Sequence, residues 1–348
     1  MSILKSVGDF FALDIGTNAI RVVQLSGTPG RWSLIHYGYA TVHMKDTAAD
    51  SKEAERRLGE SIMTAIGQSG IRTKNVVVGV PAQKSFTTII DIPHMPVQEL
   101  KSTIKYQIDK YVPMSIDEAK VDWVSLGQSQ RNPNEEEILI SSTANSYVEQ
   151  RLEMLENLGL NVVAMEPEPI AMLRSLLPPG VMDAWLILDV GEMATNLVVA
   201  YQGTPRLVRT IPTGLATLTK SAAQNLNVQE DQARQFILKF GLAQDKLEGQ
   251  VVRALESSLD AFIAEVEKSV KFFQTRYPNG KVNGAILGGF ASTIPLFGEY
   301  ISAKTSLQCR AVSPLASVNI AQADQQQLAP VAAEFAVVLG LAARGGDV

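Results

Sequence analysis

Two stretches of this chain carry the same short pattern, and that repetition limits its fold more than any other feature. "FALDIGTNAIRVVQL" begins at Phe11 and "LILDVGEMATNLVVAYQGTP" at Leu186. In each, an apolar run reaches Asp-x-Gly, at Asp14 to Gly16 and Asp189 to Gly191, and a second β-rich run follows. Gly-Thr-Pro then precedes a third run, "RWSLIHYGYATV" in one half and "RLVRTIPTG" in the other. Three short strands in a meander account for both halves. Helical patterns follow each time. The first half has "SKEAERRLGESIMTAIGQSG", closed by Gly70 and followed by the strand "NVVVGV"; the second has "LATLTKSAAQNL" and "VQEDQARQFILKFGL". A tandem duplication of one α/β unit explains the match. Taken singly, either Asp-x-Gly stretch reads equally well as a plain surface turn.

Residues 84–128 fall outside the repeat. They read as a strand ("SFTTIIDIP"), an amphipathic helix between Pro96 and Pro113, and a strand ("AKVDWVSLG"). We expect an inserted subdomain there. Residues 1–83 and 129–183 then make a first lobe, and 184–348 a second, with a helical part near 217–280. The longest helix is predicted from Leu247 to Tyr277, apolar at Val251, Leu255, Leu259, Phe262, Val266, Val270 and Phe273. Asp245 and Glu248 resemble a capping box at its start.

Composition narrows the function. A length of 348 residues, 46% hydrophobic, suits two globular domains. The net charge is −5 and no Lys/Arg-rich run appears, which argues against a nucleic-acid partner. Cys309 is the only cysteine, so an internal disulfide is excluded and it reads as a small core or surface residue. His36, His43 and His94 lack metal-ligand spacing. No apolar run reaches the roughly 18 residues of a membrane span. Ile3, Leu4, Val7, Phe10 and Phe11 share a helical stripe; with Lys5 its sole cation, packing onto the body is favoured over contact with a membrane.

The repeated turns suit phosphate. A glycine turn points backbone N–H groups outward, and small polar residues add donors. Gly16, Thr17 and Asn18 have that character, as do Gly191 and Thr195. The carboxylates of Asp14 and Asp189 suit a hydrated Mg2+, which takes few direct protein ligands. Further on, "GAILGGFASTIPLFGEYISAKTSL" is a strand, a double glycine and a helix. Gly288 and Gly289 either let a flat base approach the backbone or serve a positive φ.

Taken in order, the Asp-x-Gly hairpin, the helix from Glu168-Pro169, the second hairpin and the Gly-Gly turn resemble the actin/FtsA ATPase superfamily. Within it the chain resembles the PilM family of type IV pilus assembly. The segment "VPAQKSFTTIIDIPHMPVQELKSTIKYQIDKYVPMSIDEAKVDWVSLG" is similar to that family's inserted subdomain, called 1C. "EVEKSVKFFQ" and "APVAAEFAVVLGLAAR" are also similar to family segments. The resemblance implies an α/β, actin-like (ribonuclease H-like) duplicated fold, with lobes 1A and 2A, a helical 2B and the 1C insert.

It also implies ATP and Mg2+ as ligands, with at most slow hydrolysis. Phosphates would meet Asp14 to Asn18 and Asp189 to Thr195, and adenosine would meet Gly288, Gly289 and Phe290. Asp14 and Asp189 would hold the metal through water. Glu265 and Lys268 match a motif beside adenine and ribose, but they read equally as a solvated i,i+3 ion pair. Glu168 is the catalytic candidate by position, though a Glu before Pro at a helix start reads equally as a residue that suits the helix dipole. Two departures stand out: Glu192, whose charge would repel phosphate, and Phe290, where a third glycine is expected.

The implied partner is the N-terminal cytoplasmic peptide of a PilN-like inner-membrane protein. Ile104, Ile108, Tyr111, Val112 and Pro113 are its candidate groove, though most of them also read as the subdomain's own core. Pilus motor ATPases are further implied partners, and self-association stays open. The expected place is the cytoplasmic face of the inner membrane, reached through the partner. The alternatives are an FtsA-like membrane scaffold, for which "ARGGDV" offers no terminal amphipathic helix, and a small-molecule kinase, for which no acceptor pocket or base is visible.

Overall fold

The computed structural model describes residues 9–48, 51–107 and 110–344. The leader residues Ile3, Leu4 and Val7, the groove candidate Ile108 and the final residues 345–348 lie outside the described residues. The chain divides into two compact units, residues 1–171 with 340–348, and residues 172–339.

In the first unit, β1 (Phe11–Ile15), β2 (Ala19–Thr28) and β3 (Arg31–Thr41) form the expected antiparallel meander. The short α1 (Met44–Ala48) leads to α2 (Lys52–Ser69). Ser51 caps α2 by accepting the Ala54 amide at 3.2 Å, and Gly70 ends it in the left-handed region. Leu58, Ile62 and Ala65 bury one face of α2 against the apolar strands. β4 (Asn75–Val80) then runs parallel to β1.

Next come β5 (Ser85–Pro93), α3 (Val97–Gln107), β6 (Ala119–Gln128) and β7 (Glu135–Ala144). They are followed by α4 (Asn145–Asn157), β8 (Asn161–Pro167) and α5 (Glu168–Leu176). β8 lies parallel to β4, so this unit's strands run β3-β2-β1-β4-β8.

The insertion has its own three-stranded sheet, ordered β5-β7-β6. The expected boundary at residue 128 is therefore corrected. β7 pairs with both β5 and β6, so the subdomain runs to Ala144. Ile90, Ile92, Leu100, Ile104, Val112, Ile138 and Ile140 form its core.

The second unit repeats the plan. β9 (Ala184–Val190), β10 (Thr195–Tyr201) and β11 (Thr204–Ile211) form a second antiparallel meander. The helices α6 (Leu215–Leu226), α7 (Glu230–Phe240) and α8 (Gln250–Arg276) follow. Then come β12 (Val282–Gly289), α9 (Phe297–Thr305), β13 (Gln308–Ala311), β14 (Val318–Asn319), α10 (Gln322–Leu328) and α11 (Ala336–Ala342). The sheet order β11-β10-β9-β12-β13 has the same antiparallel and parallel pairings as β3-β2-β1-β4-β8. The duplication inferred from two turns is thus present in the topology.

Val251, Leu255, Leu259, Phe262, Val266 and Phe273 bury one stripe of α8, as their spacing predicts. Its start differs from expectation. Leu247, Glu248 and Gly249 are left-handed, with φ of 45°, 53° and 70°. Glu248 therefore cannot be the third residue of a right-handed helix, no capping box forms, and α8 begins at Gln250 after Gly249.

In the first unit, Gly340 of α11 lies against Ala171 of α5. A Cβ at Gly340 would come 1.8 Å from the Ala171 carbonyl oxygen, so only glycine permits this approach.

Candidate functional site

Both Asp-x-Gly turns close in the same way. The Gly16 amide donates to the Ala19 carbonyl at 3.0 Å, and the Gly191 amide to the Ala194 carbonyl at 2.9 Å. Each glycine thus ties the turn to the start of the following strand, and the intervening residues project from the strand ends. The Thr17 and Asn18 carbonyls in turn accept bonds from the Thr47 hydroxyl and the Val42 amide.

Asp14 is buried, and Arg21 stands opposite it on β2. Arg21 Nη1 lies 3.3 Å from Asp14 Oδ2, and its guanidinium stands 5.5 Å from the Tyr39 ring centre. The same guanidinium lies where a Cβ on Gly16 would point, 2.8 Å from that position. The first turn therefore pairs its carboxylate with a fixed cation.

In the second unit, Asp189 faces Asn196 on β10. Its positive charge comes from elsewhere: Arg234 of α7 pairs with Glu192. Thr195 is fully buried and its hydroxyl donates to the Thr213 carbonyl at 2.7 Å, so this side chain braces the turn from behind. The amides of Leu215 and Ala216, at the start of α6, donate to the Gly191 and Glu192 carbonyls.

The Gly-Gly turn stands beside this one, because β12 runs parallel to β9 and sets Gly288 next to Asp189. Gly289 has φ +54° and ψ −140°, a conformation other residues avoid. A Cβ there would meet the Val190 carbonyl oxygen at 2.4 Å and Asp189 Oδ1 at 2.7 Å. Gly289 is thus required by the protein's own strands, whereas a Cβ at Gly288 would meet only side-chain atoms, Asp189 Oδ1 at 2.8 Å and Leu176 Cδ1 at 2.9 Å. Phe290 follows, half-buried against the second unit's core. A groove of about 680 Å3 nearby is bordered by Ser292, Thr293, Leu315, Val318 and Asn319 and has no charged lining residue.

The remaining candidates lie on helices. Glu265 and Lys268 are partly exposed and bridge each other at 3.4 Å on α8. Glu168 opens α5 in the first unit, near Tyr147 of α4. Burial, with the Glu168 carboxylate adding to it, pushes the Tyr147 phenol up, while Arg151 opposes the shift. Burial also pushes the Cys309 thiol up, in keeping with an unreactive residue.

In the insertion, Ile104 and Val112 are core residues, whereas Tyr111 (39% exposed) and Pro113 face solvent. Sequence reasoning missed Arg21 and Arg234. The signal for the second was Glu192, since a carboxylate in such a turn needs a cation beside it.

Residues 12–346 match the family described as "Type IV pilus assembly protein PilM". Among solved structures, a PilM–PilN type IV pilus biogenesis complex matches with a TM-score of 0.80 at 22% identity, covering 98% of this chain and 99% of that one. The ethanolamine utilization protein EutJ from Carboxydothermus hydrogenoformans matches at 0.56 and 15% identity, over 96% and 89%. MreB5 of Spiroplasma citri, bound to AMPPNP, matches at 0.52 and 10% identity, over 97% and 95%. The fold is that of the actin-like ATPases.

Proposed function

Because this chain belongs to the PilM family of type IV pilus assembly proteins, we propose that it is the actin-like, nucleotide-binding component of a pilus assembly complex. Its inserted subdomain binds the N-terminal cytoplasmic peptide of a PilN-like inner-membrane protein. The family match across residues 12–346 carries this reading. Attachment to the inner membrane runs through that partner; among the described residues no helix is long and apolar enough to cross a membrane.

The residues fit Mg–ATP. Each turn has a glycine closed on an alanine carbonyl and an aspartate two positions before that glycine. Each also has a guanidinium at hand, Arg21 in the first and Arg234 in the second. The amides of Thr17 and Asn18 in the first turn and of residues 192–194 in the second are the donors for phosphate, since those of Gly16 and Gly191 are spent in closing the turns; Asp14 and Asp189 are the candidates for the hydrated metal, and Gly288, Gly289 and Phe290 for the adenosine.

The metal assignment is tested by comparing ATP affinity with and without Mg2+. Mg2+ raises the affinity of the wild-type chain about tenfold or more, and the Asp14→Asn/Asp189→Asn double variant loses that gain. An unchanged Mg2+ effect in the folded variant would remove both aspartates from the site.

The partner reading is tested with a synthetic N-terminal peptide of the PilN-like protein. Tyr111 is an exposed aromatic on the inserted subdomain, the type of residue that anchors peptides. Tyr111→Ala weakens the peptide about tenfold without lowering the unfolding temperature. Unaltered affinity would exclude this face. Failure of the wild-type chain to bind the peptide would sink the reading itself.

A further inference from the structure

Arg234 joins the two positions at which this chain departs from the expected pattern. It donates Nη1 to Glu192 Oε1 at 2.7 Å and Nη2 to Oε2 at 2.9 Å. Its guanidinium also stands 5.5 Å from the centre of the Phe290 ring. The Glu192 side chain is only 8% exposed and that of Arg234 30%. The planar fork of arginine matches a carboxylate in this two-bond geometry, and its face stacks on an aromatic ring. Three separate elements meet at one cation: the second Asp-x-Gly turn, helix α7 and the Gly-Gly-Phe turn.

Electrostatics give this meeting a purpose. Glu192 directly follows Gly191, in the turn that would receive phosphate. Screening by water is weak for so buried a carboxylate, and left alone it would repel a polyanion in that turn. The first turn has its cation on the neighbouring strand, where Arg21 faces Asp14; the equivalent strand position in the second turn is the uncharged Asn196. We propose that Arg234 is a positioning residue that neutralises Glu192 and, backed by Phe290, keeps the second turn open to a nucleotide's phosphates. This rests on the nucleotide reading above and adds to it a residue outside the sequence-derived set. Phe290 thereby gains a role that a third glycine could not fill.

The test measures the affinity of ATP and of uncharged adenosine for the wild-type chain, Arg234→Gln, Glu192→Gln and the double variant. Arg234→Gln leaves Glu192 uncompensated, so ATP affinity falls about tenfold or more, while adenosine stays within about twofold. The double variant removes the repelling charge along with its partner and returns ATP to within about threefold of wild type. Glu192→Gln alone does not weaken ATP. Equal losses for ATP and adenosine in Arg234→Gln would overturn the inference, because they place Arg234 against the nucleoside or in the stability of the unit. A double variant as weak as Arg234→Gln would overturn it too, because Arg234 would then touch phosphate directly. If the wild-type chain binds neither ligand, the nucleotide reading fails and this inference with it; if it binds both and the variants disobey, only the inference fails.

Discussion

Gly289→Ala destabilises the second unit by about 3 kcal/mol or more, which lowers its unfolding temperature by roughly 10 °C. Two costs add. The backbone at Gly289 has φ +54° and ψ −140°, which is open essentially to glycine alone. A methyl group there would also stand 2.4 Å from the Val190 carbonyl oxygen and 2.7 Å from Asp189 Oδ1. The Val190 carbonyl is backbone of the adjacent strand and cannot yield without disturbing the pairing of β9 with β12, whereas the Asp189 side chain can turn aside.

Gly30→Ala is the control. Gly30 also has positive φ, +81°, but a Cβ there meets nothing within 4 Å. Its cost is therefore confined to backbone strain of about 1 kcal/mol. Thermal unfolding followed by circular dichroism separates the two, and similar losses for both would refute the close approach at Gly289. The same geometry explains why a bulky substitution at Gly289 is a poor probe of adenosine binding. It would disturb the fold before any ligand arrived.

Removing residues 85–144 abolishes binding of the PilN-like peptide, a loss of about a hundredfold or more, and leaves ATP affinity within about threefold of wild type. The excision is clean because its ends lie side by side: Ser85 is the register partner of Thr143. A short Gly/Ser link can therefore join Lys84 to Asn145. The subdomain also has its own core, from Ile90 and Ile92 to Ile138 and Ile140, separate from that of the surrounding unit.

A shorter excision, residues 84–128, gives a different result. It removes β5 and β6 but leaves β7, their shared partner, with both edges open. That variant aggregates, because an unpaired strand recruits other chains. Peptide affinity that survives the longer excision would move the partner's site elsewhere on the chain. Loss of ATP binding together with peptide binding would show that the subdomain supports the nucleotide turns.

Much of this was legible in the residues because it is local. Strand alternation, the helical stripe of α8, the Gly70 stop of α2 and the twin Asp-x-Gly turns all express short-range rules of backbone geometry and spacing. The duplicated topology followed from the turns, since two copies of one motif fold by one plan.

What the residues by themselves did not decide depends on partners distant along the chain. β7 read as the return to the first lobe, and only its pairing on both sides places it in the insertion. The capping box at Asp245 and Glu248 gave way to a left-handed turn that no local propensity favours. Glu192 looked like an obstacle to phosphate until α7 brought Arg234 across 42 positions to meet it. A charge in sequence is only a charge. Whether it repels a ligand or is cancelled depends on which cation the fold sets within 3 Å of it, and that is a property of packed helices and strands.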